Sequence, residues 1–600
     1  MGTVTRFDDR TNQSRDVSIW LNNYDGYAAK DVPYRFQWTF PIVFSPHDSN
    51  TLYVAAQYVF RTSSDGESWT RISPDLTRHD SATLGPVGGP VTRDMTGTEW
   101  YGTIFALAES PVKAGELWAG SDDGLIHLSR DGGASWTDVT PQGLKPFTRV
   151  SIIEPSHFDA GTAYVAANRY QLDEMQPLLF RTTDYGRSWT QITAGIPATA
   201  YTRSIREDPV RRGLLFAGTE SGVWVSFDDG GHWQSLQLNL PRSSVRDLTI
   251  HGADLIVATH GRAFWSLDDI APLRQLADSI RHAGVFLYTP EPAIRFLGGN
   301  GHRSNAGDNP PDGVIVDYWL RSQPHDTVTL AFFDSTGAVV RRFTSSAARD
   351  TGSTHRDTTV EDSASYAPSD STVATHAGAN RFVWNLRAEP AHKLDDVVVD
   401  EGMLDGPLVV PGTYTARLSV GGTTVERRFQ VTEDPRVRTS PADLAAEYGL
   451  ALQVRDAIDS TVVAVRRIES IQEQLRHRSA QAKHMPYEHR VSAAADTLSA
   501  QLDSVRFALA EVESHADEIT LNYPIKLYNK LLTLNVMVQG ADAAPTAAQR
   551  AVYSELNGKV NEQLAHLRTL EQVQLAAFDA LIRTLQVPAI VPARQSQTIP

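Results

Sequence analysis

The side chains able to do chemistry sit in short polar turns between β-type runs. Ser121-Asp122-Asp123-Gly124 and Thr219-Glu220-Ser221-Gly222 each present a carboxylate. Asn168-Arg169-Tyr170-Gln171-Leu172-Asp173-Glu174 sets a guanidinium beside a phenol, and Thr259-His260-Gly261-Arg262 sets an imidazole near a second guanidinium. Glycoside hydrolysis needs two carboxyl groups across the sugar, one protonated and one ionised. Asp122 and Glu220 are the candidate catalytic pair. Asp123, Arg169, Tyr170, His260 and Arg262 form the candidate ligand-binding set, because planar cations and aromatic faces suit sugars and peptides alike. Each has a plainer reading. Asp-Gly and Glu-Ser-Gly are ordinary turn chemistry. Arg262 could close a structural ion pair, and His260 has no nucleophile or metal-ligand partner at a known spacing.

Several classes of chemistry are excluded. The chain has no HExxH, no GxSxG, no phosphate loop, no EF-hand loop and no dinucleotide fingerprint. It has no cysteine, which removes disulfides, thiol catalysis and Cys-ligated zinc. No metal or cofactor is expected. A net charge of −16, from 55 basic and 71 acidic residues, argues against general nucleic-acid binding. No apolar run approaches the roughly 18 residues of a membrane span. The first residues, MGTVTRFDDRTNQ, lack the apolar core of a secretory signal.

The elements that must position these turns are announced by a repeat. Ser129-Arg130-Asp131-Gly132-Gly133-Ala134-Ser135-Trp136 has the form Ser/Thr-x-Asp-x-Gly-x-Ser-Trp. It recurs from Thr182 through Asp184 and Gly186 to Trp189, and from Ser226 through Asp228 and Gly230 to Trp233. A worn copy runs from Thr62 to Trp69, with its Asp displaced to Asp65. Each copy joins two β-type runs, so it reads as a hairpin turn. The Asp accepts turn N–H groups, Gly133 and its equivalents supply positive φ, and the Trp packs between layers as core. A repeat of this kind predicts a β-propeller with one blade per unit. Five blades are expected within 1–275, the first opening on the period-2 set Phe36, Trp38, Phe40, Ile42 and Phe44. Thr3–Phe7 and Ser14–Trp20 form a hairpin that reads as the outer half of a preceding blade. Its inner half is expected from residues upstream or from the far end of the chain. The connection Ser73 to Glu99 is too long for a plain turn.

This pattern resembles the Asp-box, or BNR, repeat of sialidases, xyloglucanases and sortilin. Residues 1–275 look like the later blades of bacterial BNR-repeat glycosyl hydrolases or sortilin-like propellers. The resemblance implies an extracytoplasmic protein, secreted or periplasmic, and a longer chain at the N-terminal end. It also implies a functional face opposite the boxes. That face carries the turns between second and third strands and the crossings between blades, which add Arg93, Asp94, Glu99 and Trp100. Asp122 falls where the xyloglucanase-like families place a catalytic Asp, in a Thr-Asp-x-Gly context that here reads Ser-Asp-Asp-Gly. The sialidase hallmark Phe/Tyr-Arg-Ile-Pro is absent, so sialidase activity is not expected.

Beyond the propeller, residues 284–435 read as an immunoglobulin- or fibronectin-like β-sandwich, with a Ser/Thr/Asp-rich disordered insertion over about 345–378. Residues 440–587 read as an antiparallel helical bundle. It opens on the Ser440-Pro441 cap, and Thr546 with Gln549 forms a capping box for its last long helix. Gly540 is expected to cap the helix before it. Residues 588–600 read as a loose tail. The leading expectation is a propeller that binds a glycan or peptide. The alternatives are a glycoside hydrolase and an assembly component, with homo-oligomers or a partner chain held by the helices or the open propeller edge. Neither nucleic acid nor a transmembrane segment is expected.

Overall fold

The computed structural model describes residues 2–97, 99–298, 307, 309–345, 372–394, 397, 402–513 and 523–587. The chain divides into two compact units, Met1–Arg274 and Gln275–Pro600.

In the first unit, antiparallel sheets follow one another along the sequence. The first blade is Ile42–Phe44, Leu52–Ala55, Val59–Thr62 and Thr70–Arg71. The second is Ile104–Glu109, Leu117–Ser121, Ile126–Ser129 and Thr137–Asp138. The third is Arg149–Pro155, Ala163–Arg169, Glu174–Thr182 and Thr190–Gln191, and the fourth is Thr202–Glu207, Leu215–Thr219, Gly222–Ser226 and Gln234–Ser235. The fifth has three strands, Val245–His251, Asp254–Thr259 and Phe264–Leu267. Each strand pairs with its sequence neighbour. Consecutive blades bury apolar side chains against each other: Tyr53 and Ile72 with Ile104 and Leu117, Trp118 and Val139 with Val150 and Val165. Tyr164 and Ile192 meet Ile205 and Leu215, and Phe216 and Val223 meet Val245 and Leu248. The first strands of all five blades line one cavity of 520 Å³. Sheets stacked face to face around a shared inner cavity define a propeller-type fold.

The box geometry explains the repeat. Asp131 accepts from Ser135 N at 2.9 Å, Ser135 Oγ at 2.6 Å and Ser129 Oγ at 2.9 Å. Asp184 does the same with Ser188 and Thr182. Gly133 has φ +93°, and a Cβ there would meet the Ile72 carbonyl at 2.7 Å, so only glycine serves. The box tryptophans pack at the edges of the inter-blade cores. Trp233 is fully buried, whereas Trp69, Trp136 and Trp189 are half-buried. In the worn copy it is Ser64, not Asp65, that fills the Asp position: Ser64 Oγ accepts from Ser68 N at 3.2 Å. Asp65 is exposed and faces Arg6.

The first blade's inner strand is shorter than its alternation suggests. Only Ile42–Phe44 is strand, and its Ile42 and Phe44 are exposed. Phe36 is buried, but Gln37 and Phe40 close a turn, and Trp38 points outward to Glu99. The turn before Pro41 breaks the period, so the parity of Phe36 does not carry through to Phe44.

The second unit contains two sheets with a common core. One has the order Val285–Leu287, Val314–Leu320, Gly378–Trp384. The other has Ala293–Arg295, Thr423–Glu433, Gly412–Val420, Thr329–Phe333, Val339–Thr344. Val316, Tyr318 and Trp384 of the first meet Phe332, Leu418 and Phe429 of the second. The short strands Val285–Leu287 and Ala293–Arg295 carry no alternation long enough to read from sequence. Of the insertion expected over 345–378, residues 346–371 lie outside the described residues, whereas 372–378 are packed structure: Val373 is buried in the sheet core and its N–H donates to the Thr344 carbonyl at 3.1 Å. The tail 588–600 lies wholly outside the described residues.

Helices follow at Pro441–Ala482, Glu488–Leu509, Leu527–Val538 and Ala547–Thr569, the last continuing through a π-turn into Ala576–Thr584. Ser440 caps the first, and the Thr546–Gln549 capping box is formed. Gln539, not Gly540, is the C-cap of Leu527–Val538. Sheets and helices fall within one compact unit, each with its own apolar core, and buried polar links join them. Arg295 pairs with Glu447 at 2.9 Å and with Asp542, and Arg387 donates to Gln539 at 2.8 Å. Among the described residues, no helix is long and apolar enough to cross a membrane.

Candidate functional site

In an antiparallel four-stranded blade, the turn between strands two and three lies at the opposite end from the turn between strands three and four. Asp122, Arg169, Tyr170, Glu220, His260 and Arg262 therefore share the face away from the boxes. Their side chains do different things there.

Asp122 is turned inward and only 7% exposed. Its carboxylate accepts from Gly102 N at 3.1 Å, Thr103 N at 2.8 Å and Thr103 Oγ1 at 3.0 Å. Burial, assisted by the neighbouring Asp123 charge, pushes this carboxyl up to about 7, against the pull of the Thr103 donors. Asp123 is equally committed, accepting from Ser121 Oγ at 2.6 Å and from Arg78 N at 2.8 Å. Arg78 belongs to the long connection between the first two blades, so that segment is pinned onto the second blade's turn.

Arg169 closes the third blade's turn. Its guanidinium reaches the Pro146 carbonyl, Thr148 Oγ1 at 3.2 Å and Glu174 at 3.0 Å. Tyr170 stacks on Tyr201 with centroids 4.9 Å apart and planes 12° from parallel. Arg203 lies over both rings, its guanidinium carbon 4.9 Å from Tyr170 and 4.8 Å from Tyr201. Arg203 also donates to Glu220 at 2.9 Å. Burial opposes the charge on Glu220, but Ser244, Tyr201 and Arg203 outweigh it and hold this carboxyl below its usual range. One carboxyl is thus raised and the other lowered, as hydrolysis would need. The raised one, however, has its oxygens spent on Gly102 and Thr103, at the start of its blade's first strand.

His260 Nδ1 accepts from Arg246 Nε at 3.0 Å. Arg262 is exposed, and its guanidinium makes no hydrogen bond or ion pair with the described residues.

Residues that sequence reasoning passed over complete the face. Tyr101, in the crossing into the second blade, stacks on Phe147, in the crossing into the third, at 5.6 Å and 17°. Phe147 is 49% exposed. Tyr201, Arg203 and Arg246 begin the fourth and fifth blades. The signal was available: the strand parity that selected the second turns equally selects the residues just before each first strand.

The inner cavity carries a second polar cluster that was not singled out. Arg206 bridges Glu154 at 3.2 Å and Asp247 at 2.8 Å, and His157 faces Glu154 at 3.4 Å. The hydrogen bond to Glu154 raises the His157 imidazole above its usual value, against burial. No group of three or more His, Asp or Glu able to hold a metal occurs among the described residues.

No family model matches the sequence, and no curated protein matches it. Among solved structures, the GH74 xyloglucanase from Xanthomonas campestris is similar over 53% of this chain and 46% of its own, at 15% identity and a TM-score of 0.32. An ancestral GH74 enzyme is similar over 54% of this chain and 40% of its own, at 13% identity and a TM-score of 0.28. YCF48 from Cyanidioschyzon merolae is similar over 56% of this chain and 85% of its own, at 15% identity and a TM-score of 0.22. The chain thus spans less than half the length of the first two. The class defined by the sheets themselves is a multidomain protein of β-propeller type with a C-terminal helical region.

Proposed function

We propose that the propeller is a carbohydrate-binding module whose ligand lies on the face opposite the Asp-boxes. The observation that carries this reading is two stacked ring pairs, Tyr101 on Phe147 and Tyr170 on Tyr201, supplied by consecutive blades, with Phe147 exposed, Tyr170 half-buried and Tyr201 buried beneath it. Sugar rings present C–H faces that stack on such platforms, and hydroxyls that pair with flanking Arg and Glu groups. A secreted or periplasmic setting goes with such a ligand. Hydrolysis by Asp122 and Glu220 has less support, because Asp122 is held inward by Gly102 and Thr103.

The test is a panel of immobilised oligosaccharides probed with the wild type and the Tyr170→Ala, Phe147→Ala double variant. A glycan retained by the wild type and released by the variant supports the proposal. Undiminished retention by the variant, or no glycan retained by the wild type, removes it.

A further inference from the structure

The aromatic strip does not end at Tyr201. From Tyr170 a chain of contacts runs across three blades: to Tyr201 by stacking, to Arg203, and from Arg203 to Glu220 at 2.9 Å. Glu220 accepts from Ser244 Oγ at 2.7 Å, the Ser244 carbonyl accepts from His260 N at 2.8 Å, and His260 accepts from Arg246. The strip therefore leads directly onto the end of the fifth blade.

That end is positively charged. Arg242, Arg246, His260 and Arg262 are all exposed there, in the crossing, the first strand and the second turn of one blade. None of the three guanidinium groups meets a carboxylate among the described residues. Two carboxylates of the adjoining turn and strand are already committed, Glu220 to Arg203 and Asp247 to Arg206. Arg246 instead donates to an imidazole nitrogen, an acceptor that brings no negative charge to compensate its own. The whole chain has a net charge of −16, so carboxylate partners were abundant in the sequence. Unpaired cations beside an aromatic platform make a surface for a ligand with sugar-like faces at one end and anionic groups at the other.

We infer that the ligand is an acidic polysaccharide, one bearing uronic-acid carboxylates, with pyranose faces on Tyr170 and Phe147 and carboxylates on Arg246 and Arg262. This rests on the carbohydrate-binding reading above and adds the charge of the sugar. Guanidinium forks match carboxylates in two-point geometry, and the contact is exposed, so salt weakens it.

The experiment measures binding of oligogalacturonate, a neutral xyloglucan oligosaccharide and a polyglutamate peptide to the full chain. Wild type is compared with the Arg246→Gln, Arg262→Gln double variant, at low salt and at 0.3 M added NaCl. The inference expects oligogalacturonate to bind best, to weaken with salt, and to lose about tenfold in the double variant. Equal oligogalacturonate affinity in wild type and variant overturns it. So does polyglutamate binding as tightly as oligogalacturonate, which would make the cations a peptide site. A neutral glycan preferred over oligogalacturonate overturns the acidic ligand and leaves the binding face standing, whereas no glycan bound at all overturns both. Circular dichroism of the double variant separates loss of binding from loss of fold.

Discussion

Trp69 donates its indole N–H to the carbonyl of Val17 at 2.8 Å. The same bond joins Trp136 to Ile72, Trp189 to Val139 and Trp233 to Ile192, each one blade back. Gly66 likewise packs on Val17 as Gly133 packs on Ile72. The hairpin Thr5–Asp8 with Gln13–Asp16 therefore stands where the outer strands of a blade stand. Trp69→Phe and Trp136→Phe should each cost about 1 kcal/mol, the loss of one hydrogen bond to a carbonyl left without a partner. Thermal unfolding followed by near-UV circular dichroism checks this. A silent Trp69→Phe would detach the hairpin from the blade stack.

The worn box makes a sharp contrast between neighbours. Ser64 holds the turn, whereas Asp65 faces solvent near Arg6. Asp65→Ala should change stability by less than about 0.5 kcal/mol. Asp131→Ala, which strips three hydrogen bonds from an intact box, should lower the melting temperature by clearly more than Asp65→Ala does. Paired melting curves of the two variants decide it.

Asp122 gives a pH dependence with a defined sign. Its carboxyl titrates near 7 in the folded chain, against an ordinary value of 3.8. The unfolded chain releases this proton above about pH 4, while the folded chain keeps it until about pH 7. The stability that Asp122 contributes is complete below the lower value and is lost as pH rises through the higher one. Asp122→Asn cannot ionise, and its amide can still accept from Gly102 and Thr103 N–H and donate to the Thr103 hydroxyl. The melting temperature of this variant relative to wild type should therefore climb between about pH 4 and pH 7 and level off above that. A pH-independent difference would show that Asp122 is ionised throughout.

In the second unit, Arg295 is buried between Glu447 and Asp542. Removing it strands two buried carboxylates. Arg295→Met should cost about 3–5 kcal/mol, and Glu447→Gln, which keeps a hydrogen-bond acceptor, should cost less. Unfolding of the two variants, followed by helical ellipticity, ranks them. Equal losses would argue that packing rather than charge sets the cost.

The parts of this fold that could be read from sequence are those carried by local repeats. The Ser/Thr-x-Asp-x-Gly-x-x-Trp repeat fixes four residues within eight and so shows at once, and the caps at Ser440 and Thr546 are equally local. What was lost is non-local or short. The burial of Asp122 depends on Gly102 and Thr103 at the start of the same blade, and the commitment of Asp123 depends on Arg78 from a long connection. A turn signal marks a side chain's position but not its direction. That is why Asp122 read as a catalyst candidate while Tyr201 and Arg203, one strand away, went unmarked. Val285–Leu287 and Ala293–Arg295 are strands only because longer partners pair with them.

The central claim is that ligand binds the face opposite the boxes. Hydrogen exchange of the full chain with and without a retained oligosaccharide tests it most directly. The account predicts slower exchange confined to the Tyr101, Phe147, Tyr170 and Tyr201 segments and the turn at His260. Protection at the box turns around Asp131, Asp184 and Asp228 instead, or no change on the aromatic face, would contradict it.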